Sequence, residues 1–156
     1  MTPSPIRIRP CAGALATLLV ALAAAAGAGE LTREQVQQAL AAGAGQGADF
    51  AGKDLSDLDL SGLDLRRARL RGASLFGSKL VSADLRGADL TGANLNGAWL
   101  MGADFTGAQL RDASLLSVVI LGGAVRKMPL FKSADLRGAK IIADLPGADL
   151  SGADLG

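Results

Sequence analysis

The sequence predicts an all-β solenoid carrying a short N-terminal capping α-helix. Large apolar residues recur every fifth position from Phe50 to Ile120, and a one-sided amphipathic segment lies directly before them. The composition agrees: aromatic residues are 3% of the 156-residue chain and glycines number 21, so Leu and Ala must build the core. A period of five matches neither the 3.6 of a helix nor the 2.0 of a flat strand. A fixed internal period means stacked units, none of which can bury its apolar face alone.

In chain order, the first element is a signal peptide over 1–28. Arg7 and Arg9 form a short basic region, Ala12 to Ala26 is apolar except for Thr17, and Ala26-Gly27-Ala28 fits a small-residue cleavage site. The apolar run is short of the roughly twenty residues a membrane span needs. Cys11 precedes the run, the wrong place for a lipid-anchoring cysteine, and no Arg-Arg pair marks a twin-arginine signal. Cleavage removes Arg7, Arg9 and Cys11, leaving 14 basic residues of the original 16 against 15 acidic ones and no cysteine. The expected location is outside the cytoplasm, in a bacterial periplasm. Membrane contact is then limited to the signal peptide before cleavage.

Residues 29–47 form the capping helix and its linker. Thr32 is the expected N-cap, with Gln35 in the capping-box position. Val36, Ala39 and Leu40 make a single apolar stripe, and Gly43, Gly45 and Gly47 stop the helix.

The repeats occupy 48–120. Leu55, Leu60, Leu65, Leu70, Leu75, Leu80, Leu85, Leu90, Leu95 and Leu100 share one register, with Phe105, Leu110 and Leu115 continuing it. A small residue stands two places before most of them, and Gly often two places after. Units such as Ala83-Asp84-Leu85-Arg86-Gly87, Ala88-Asp89-Leu90-Thr91-Gly92 and Ala93-Asn94-Leu95-Asn96-Gly97 resemble the A-(D/N)-L-x-x unit of pentapeptide-repeat proteins. The resemblance implies a right-handed quadrilateral β-helix of four pentapeptides per coil. Lys53, Leu58 and Leu63 stand where small residues dominate later, so Lys53 should escape to solvent and the two leucines should widen the first coils.

Register fails over 121–133, which reads as an irregular insertion, with Pro129 favouring a bulge or protruding loop. Repeats continue over 134–156, one residue out of phase at Ala134-Asp135-Leu136 and shifted back at Ala143-Asp144-Leu145. The end at Gly156 lacks a capping helix. Unpaired strand edge there is expected to reflect a truncated polypeptide or pairing with a second copy.

With twenty residues per coil, residues twenty apart stack about 4.8 Å apart. One face then carries Asp64, Asp84 and Asp104 beside Arg66, Arg86 and Thr106; the arginines make this a solvated charged face and not a metal site. A second alternates Asp49, Arg69 and Asp89. The third stacks Asp59, Lys79, Trp99 and Val119 next to Ser61, Val81, Met101 and Leu121, with Phe76 and Leu116 on the preceding side. Contiguous exposed apolar residues mark interaction surfaces, so Phe76, Val81, Trp99, Met101, Leu116, Val119 and Leu121 form the candidate binding face. Lys79 below Trp99 adds a cation–π contact. The alternative is intramolecular, with Met128 to Phe131 folding back over the face.

These residues predict a non-enzymatic binding or scaffold protein, with an unknown protein or a second copy as partner. The chain has no His, and its one Cys lies in the signal segment, so neither a Cys/His zinc site nor a His-dependent nucleophile can form. No cofactor motif is present. Near-neutral charge and the lack of aromatic stacking platforms around Arg66, Arg67, Arg69 and Arg71 oppose nucleic-acid binding. The family resemblance also implies a rival role, duplex-DNA mimicry acting on DNA gyrase with quinolone protection. Such mimicry needs an acidic surface and a cytosolic location, which the charge balance and the signal peptide oppose. Thr91 and Thr106 are too few for an ice-binding threonine ladder.

Overall fold

A computed structural model of the chain describes residues 31–43, 47–120, 128–143, 145 and 147–156. The segment 1–28 expected to be a signal peptide, with Cys11, and Leu121 of the candidate face lie outside the described residues.

Helix α1 (Arg33–Ala42) has Thr32 as its N-cap, with the reciprocal Thr32 and Gln35 hydrogen bonds of a capping box. These pairs satisfy two backbone N–H groups that the first turn would leave open. Val36 is fully buried, and Leu31, Ala39 and Leu40 pack on the same core as the repeats. Arg33 fastens the helix to the first coil by donating to the Asp59 and Ser61 carbonyls and pairing with the Asp59 carboxylate at 3.1 Å. Gly47 makes the turn into the repeats. Its φ is +79°, and a Cβ there would lie 2.0 Å from the Arg67 carbonyl oxygen.

From Asp49 the backbone winds in coils of four sides. Asp49, Asp54, Asp59 and Asp64 make parallel bridges to Arg69, Ser74, Lys79 and Asp84, each twenty residues on, and the pattern continues upward. Among the described residues regular strand is short: β1 (Ser114–Leu116) runs parallel to β2 (Lys140–Ile142). In each unit, the leucine N–H, the N–H before it and the corner N–H donate to neighbouring coils, as Leu75, Ser74 and Gly77 do to Asn94, Lys53 and Asn96. The small residue's N–H closes the turn instead, as Ala73 does to the Leu70 carbonyl. Leucines 55 to 100 of the register are fully buried, as are most of the alanines facing them. Ser78 is the buried polar exception, and its hydroxyl donates to the Leu75 carbonyl at 2.9 Å. Lys53 is exposed, while Leu58 and Leu63 are half-buried. Their turn bonds are 3.5 and 3.3 Å, against 3.0 Å at Lys53, Ala68 and Ala73, so the two leucines lengthen the bonds that close their own turns.

The recurring Asp or Asn has a structural cause. Its side chain accepts the N–H two residues on, the amide that makes no bond to a neighbouring coil. Asp49, Asp54, Asp59, Asp64, Asp84, Asp89, Asn94, Asp104, Asp135, Asp149 and Asp154 all do this at 2.9–3.2 Å. The A-(D/N)-L unit is thus a small residue for the corner, an acceptor for the stray amide and a leucine for the core.

The structure corrects the sequence-based account of 121–133. Asp104 bridges Leu130 and Gln109 bridges Asp135, a separation of 26 where earlier coils have 20. The insertion therefore amounts to six residues, and Pro129-Leu130-Phe131-Lys132-Ser133 is already a side of the next coil. Pro129 is buried in the small-residue position. It costs no inter-coil bond there, because that position's N–H only closes a turn. Phe131 is 1% exposed and stacks on Phe105, with centroids 4.9 Å apart and planes 6° from parallel. One residue is then lost, since Leu130 pairs with Asp149 and Asp135 with Asp154, 19 apart. These two steps account for the phase shift and its reversal.

Candidate interaction face

The column Asp59, Lys79, Trp99 and Val119 stands in register through consecutive parallel bridges. Trp99 and Val119 are half-buried and lie outside the core cluster; the Lys79 Nζ sits 5.9 Å from the centroid of the Trp99 ring. Val81 and Met101, two residues along the same side, are also half-buried and stack one coil apart. Phe76 is 51% exposed and Leu116 half-buried on the preceding side. The structure does not join those two. Asn96 stands between them, its Oδ1 accepting from Leu116 N and Ser114 Oγ, both at 2.8 Å. The candidate face is therefore a compact patch of Val81, Trp99, Met101 and Val119, with Phe76 as an outlier around the corner. Met128 to Phe131 do not fold back over it, since Pro129 and Phe131 are turned into the coil.

Of the remaining faces, the one of Asp54, Ser74, Asn94 and Ser114 is joined by neutral hydrogen bonds, and the other two are charge-compensated. Arg66 and Arg86 each grip the Asp two residues before them and reach toward the next, at 3.7 Å to Asp84 and 3.8 Å to Asp104. The Arg86 and Arg66 guanidiniums hold the Asp84 carboxyl below the usual carboxylate range, against its partial burial, with the direct Arg86 hydrogen bond the larger cause. Arg137 does the same at Asp135, lowering it to about 2, and extends to Asp154 at 3.2 Å. Arg69 pairs with Asp49 at 3.6 Å on the alternating face. Among the described residues no cluster of His, Cys, Asp or Glu is placed to hold a metal ion. A shallow hollow at the helix end is lined by Leu40, Gly47, Asp64, Arg66, Arg67 and Arg86, with Arg66 and Arg86 already committed to carboxylates.

One feature of the Trp99 face was missed at the sequence level. Lys79 and Trp99 occupy positions where Asp or Asn elsewhere accepts a backbone amide. Among the described residues nothing accepts the N–H of Val81 or of Met101. The same break recurs at Arg69, Ser74 and Gln109, where the Arg71, Phe76 and Arg111 amides likewise lack an acceptor among the described residues, so the breaks in the Asp/Asn column were legible but their meaning required the bonding pattern of the intact units.

The family model for pentapeptide repeats matches in eight copies over residues 46–75, 68–107 and 78–115. Among solved structures, a pentapeptide repeat protein from the Arabidopsis thaliana thylakoid lumen is 32% identical, with 67% of this chain and 59% of that one covered and a TM-score of 0.43. Rfr23 of the cyanobacterium Cyanothece 51142 is 30% identical, covering 69% and 56%, with a TM-score of 0.46. A pentapeptide repeat protein of Nostoc is 30% identical, covering 80% and 75%, with a TM-score of 0.28. The match thus spans less than two thirds of the length of the first two. No curated protein sequence matches the chain. Repeated matches to the unit, together with the Leu core and Asp/Asn amide caps that the unit specifies, place this chain among the pentapeptide-repeat proteins.

Proposed function

We propose that this protein is a non-enzymatic binding or scaffold protein, exported to the periplasm, whose right-handed four-sided coil presents the Trp99 patch to a protein partner. The observation that carries this reading is the in-register column Lys79, Trp99 and Val119 beside Val81 and Met101, on a molecule two of whose other faces pair Asp with Arg. A rigid solenoid wall loses little conformational freedom on binding, so a small patch can be used efficiently. Export is supported by the basic, apolar and small-residue order of the first 28 residues. Arg–Asp pairing along the coils leaves no continuous acidic surface, which disfavours DNA mimicry.

Site-specific photo-crosslinking in producing cells, followed by fractionation, tests the reading. A crosslinker at position 99 should give a discrete adduct in the periplasmic fraction, and one at position 89 on another face should not. Equal labelling from both positions, or no adduct from a folded exported protein, would reject the Trp99 face as the contact surface.

A further inference from the structure

We infer that the Trp99 face recognises an acidic side chain of its protein partner, flanked by apolar residues, whose carboxylate takes the place left vacant by the missing Asp at position 79. This rests on the contact-surface reading above and specifies the chemistry of the partner.

The repeat itself supplies the template. One coil below, the Asp59 carboxylate accepts the Ser61 N–H at 3.0 Å, and on the neighbouring side the Asp84 carboxylate accepts the Arg86 N–H while an Arg holds it. A carboxylate, a backbone N–H and a cation therefore form a recurring three-part unit along this molecule. On the Trp99 face two of the three parts remain. The Val81 N–H has no acceptor among the described residues. Lys79 takes part in none of the ion pairs among them, and the Asp59 carboxylate directly beneath is engaged by Arg33 and Ser61. Lys79 is held over the Trp99 ring, 5.9 Å from its centroid. Its charge and the Val81 amide dipole thus lie on one side of one coil, and a second open amide, that of Met101, lies one coil higher without a cation of its own. A carboxylate entering here gains charge-assisted hydrogen bonds, which are shorter and stronger than neutral ones. Trp99, Val119 and Met101 then cover apolar neighbours of the acidic residue, excluding water around the ion pair. Among the described residues Lys79 is the one cation beside the Trp99 ring, which suits a single carboxylate better than a phosphate-rich partner.

The test uses the full chain, labelled with nitrogen-15, and two blocked tripeptides: acetyl-Phe-Asp-Leu-amide and its counterpart with Asn in the centre. A few contacts of this kind correspond to millimolar affinity, so titration to about 10 mM is required. The expected result is a saturable downfield shift of the Val81 amide with the Asp peptide, and binding at least about tenfold weaker with the Asn peptide. Lys79→Asp builds the missing carboxylate into the chain itself, so it should abolish the shift while leaving the thermal midpoint unchanged or higher. Lys79→Ala should weaken binding and leave the amide open. Equal binding of both peptides, seen at Trp99 and Val119 but not at the Val81 amide, would overturn the carboxylate site and leave the contact surface standing. Undiminished binding in Lys79→Asp, or no shift with either peptide, would also overturn the inference, with the position-99 crosslink then deciding the broader reading alone.

Discussion

Asp104 shows how one residue type serves the repeat. Its Oδ1 accepts both the Thr106 N–H at 2.9 Å and the Thr106 hydroxyl. Asp104→Ala leaves that amide without an acceptor in a half-buried setting, and should cost about 1–2 kcal/mol, the range for removing a side-chain cap. Asp104→Asn keeps an acceptor and should lose less than half of that, as equilibrium urea unfolding would read. The leucine and alanine roles were legible because the five-residue period excludes a plain helix or strand and the resemblance to pentapeptide repeats implies which positions face inward. The Asp/Asn role was not, since a polar residue on a solvent face looks equally suited to solvation. Only the bond from Asp49 to the Ala51 N–H, repeated up the coils, shows that it is structural. The same blindness hid the open amides of Val81 and Met101.

At the scale of the element, the clearest lesson comes from the coil that begins at Pro129. A proline and a broken period suggest a loop, yet the position it occupies is the one whose N–H only closes a turn within its own coil. Phe131 then fills the leucine position and stacks on Phe105, two aromatic rings facing each other where other coils place two aliphatic side chains. Phe131→Ala should therefore cost about 3–5 kcal/mol, as for a large core truncation. A surface loop residue would cost within about 0.5 kcal/mol, so a shift that small would restore the loop reading. The capping helix was legible because its signals are local: Thr32, Gln35 and the Val36, Ala39, Leu40 stripe lie within nine residues. The one-residue phase shift and its return were legible too, but not that pairing already resumes at Leu130 with a separation of 26 and then 19, because that depends on which side of the coil resumes pairing.

For the whole molecule, stability is a sum of interfaces between neighbouring coils, and two of the faces outside the Trp99 patch join coils by charge. Asp135 and Asp149 are held at about 2 from an ordinary 3.8, by Arg137 at the first and by Ser151 and then Lys132 at the second. Asp64 and Asp84 are lowered as well. A depressed folded pKa stabilises the fold above the unfolded value, and that contribution is lost as pH falls through the folded one. The thermal midpoint should hold steady from neutral pH to about 4 and drop between about 4 and 2. These carboxylates are largely exposed, so added salt should narrow the drop. A midpoint flat down to pH 2 would remove the Asp–Arg columns from the account of stability.

Backbone amide hydrogen exchange, read residue by residue on the full chain, tests the central claim most directly. The Ser61, Arg86, Thr91 and Thr106 amides, each closed by an Asp carboxylate, should exchange slowly. Those of Val81 and Met101 should exchange at least about tenfold faster although they sit in the same coils, since an amide without an acceptor lacks the protection that a hydrogen bond gives. Equal protection of all six would mean that another part of the chain already covers the Trp99 face, and would contradict its availability to a partner.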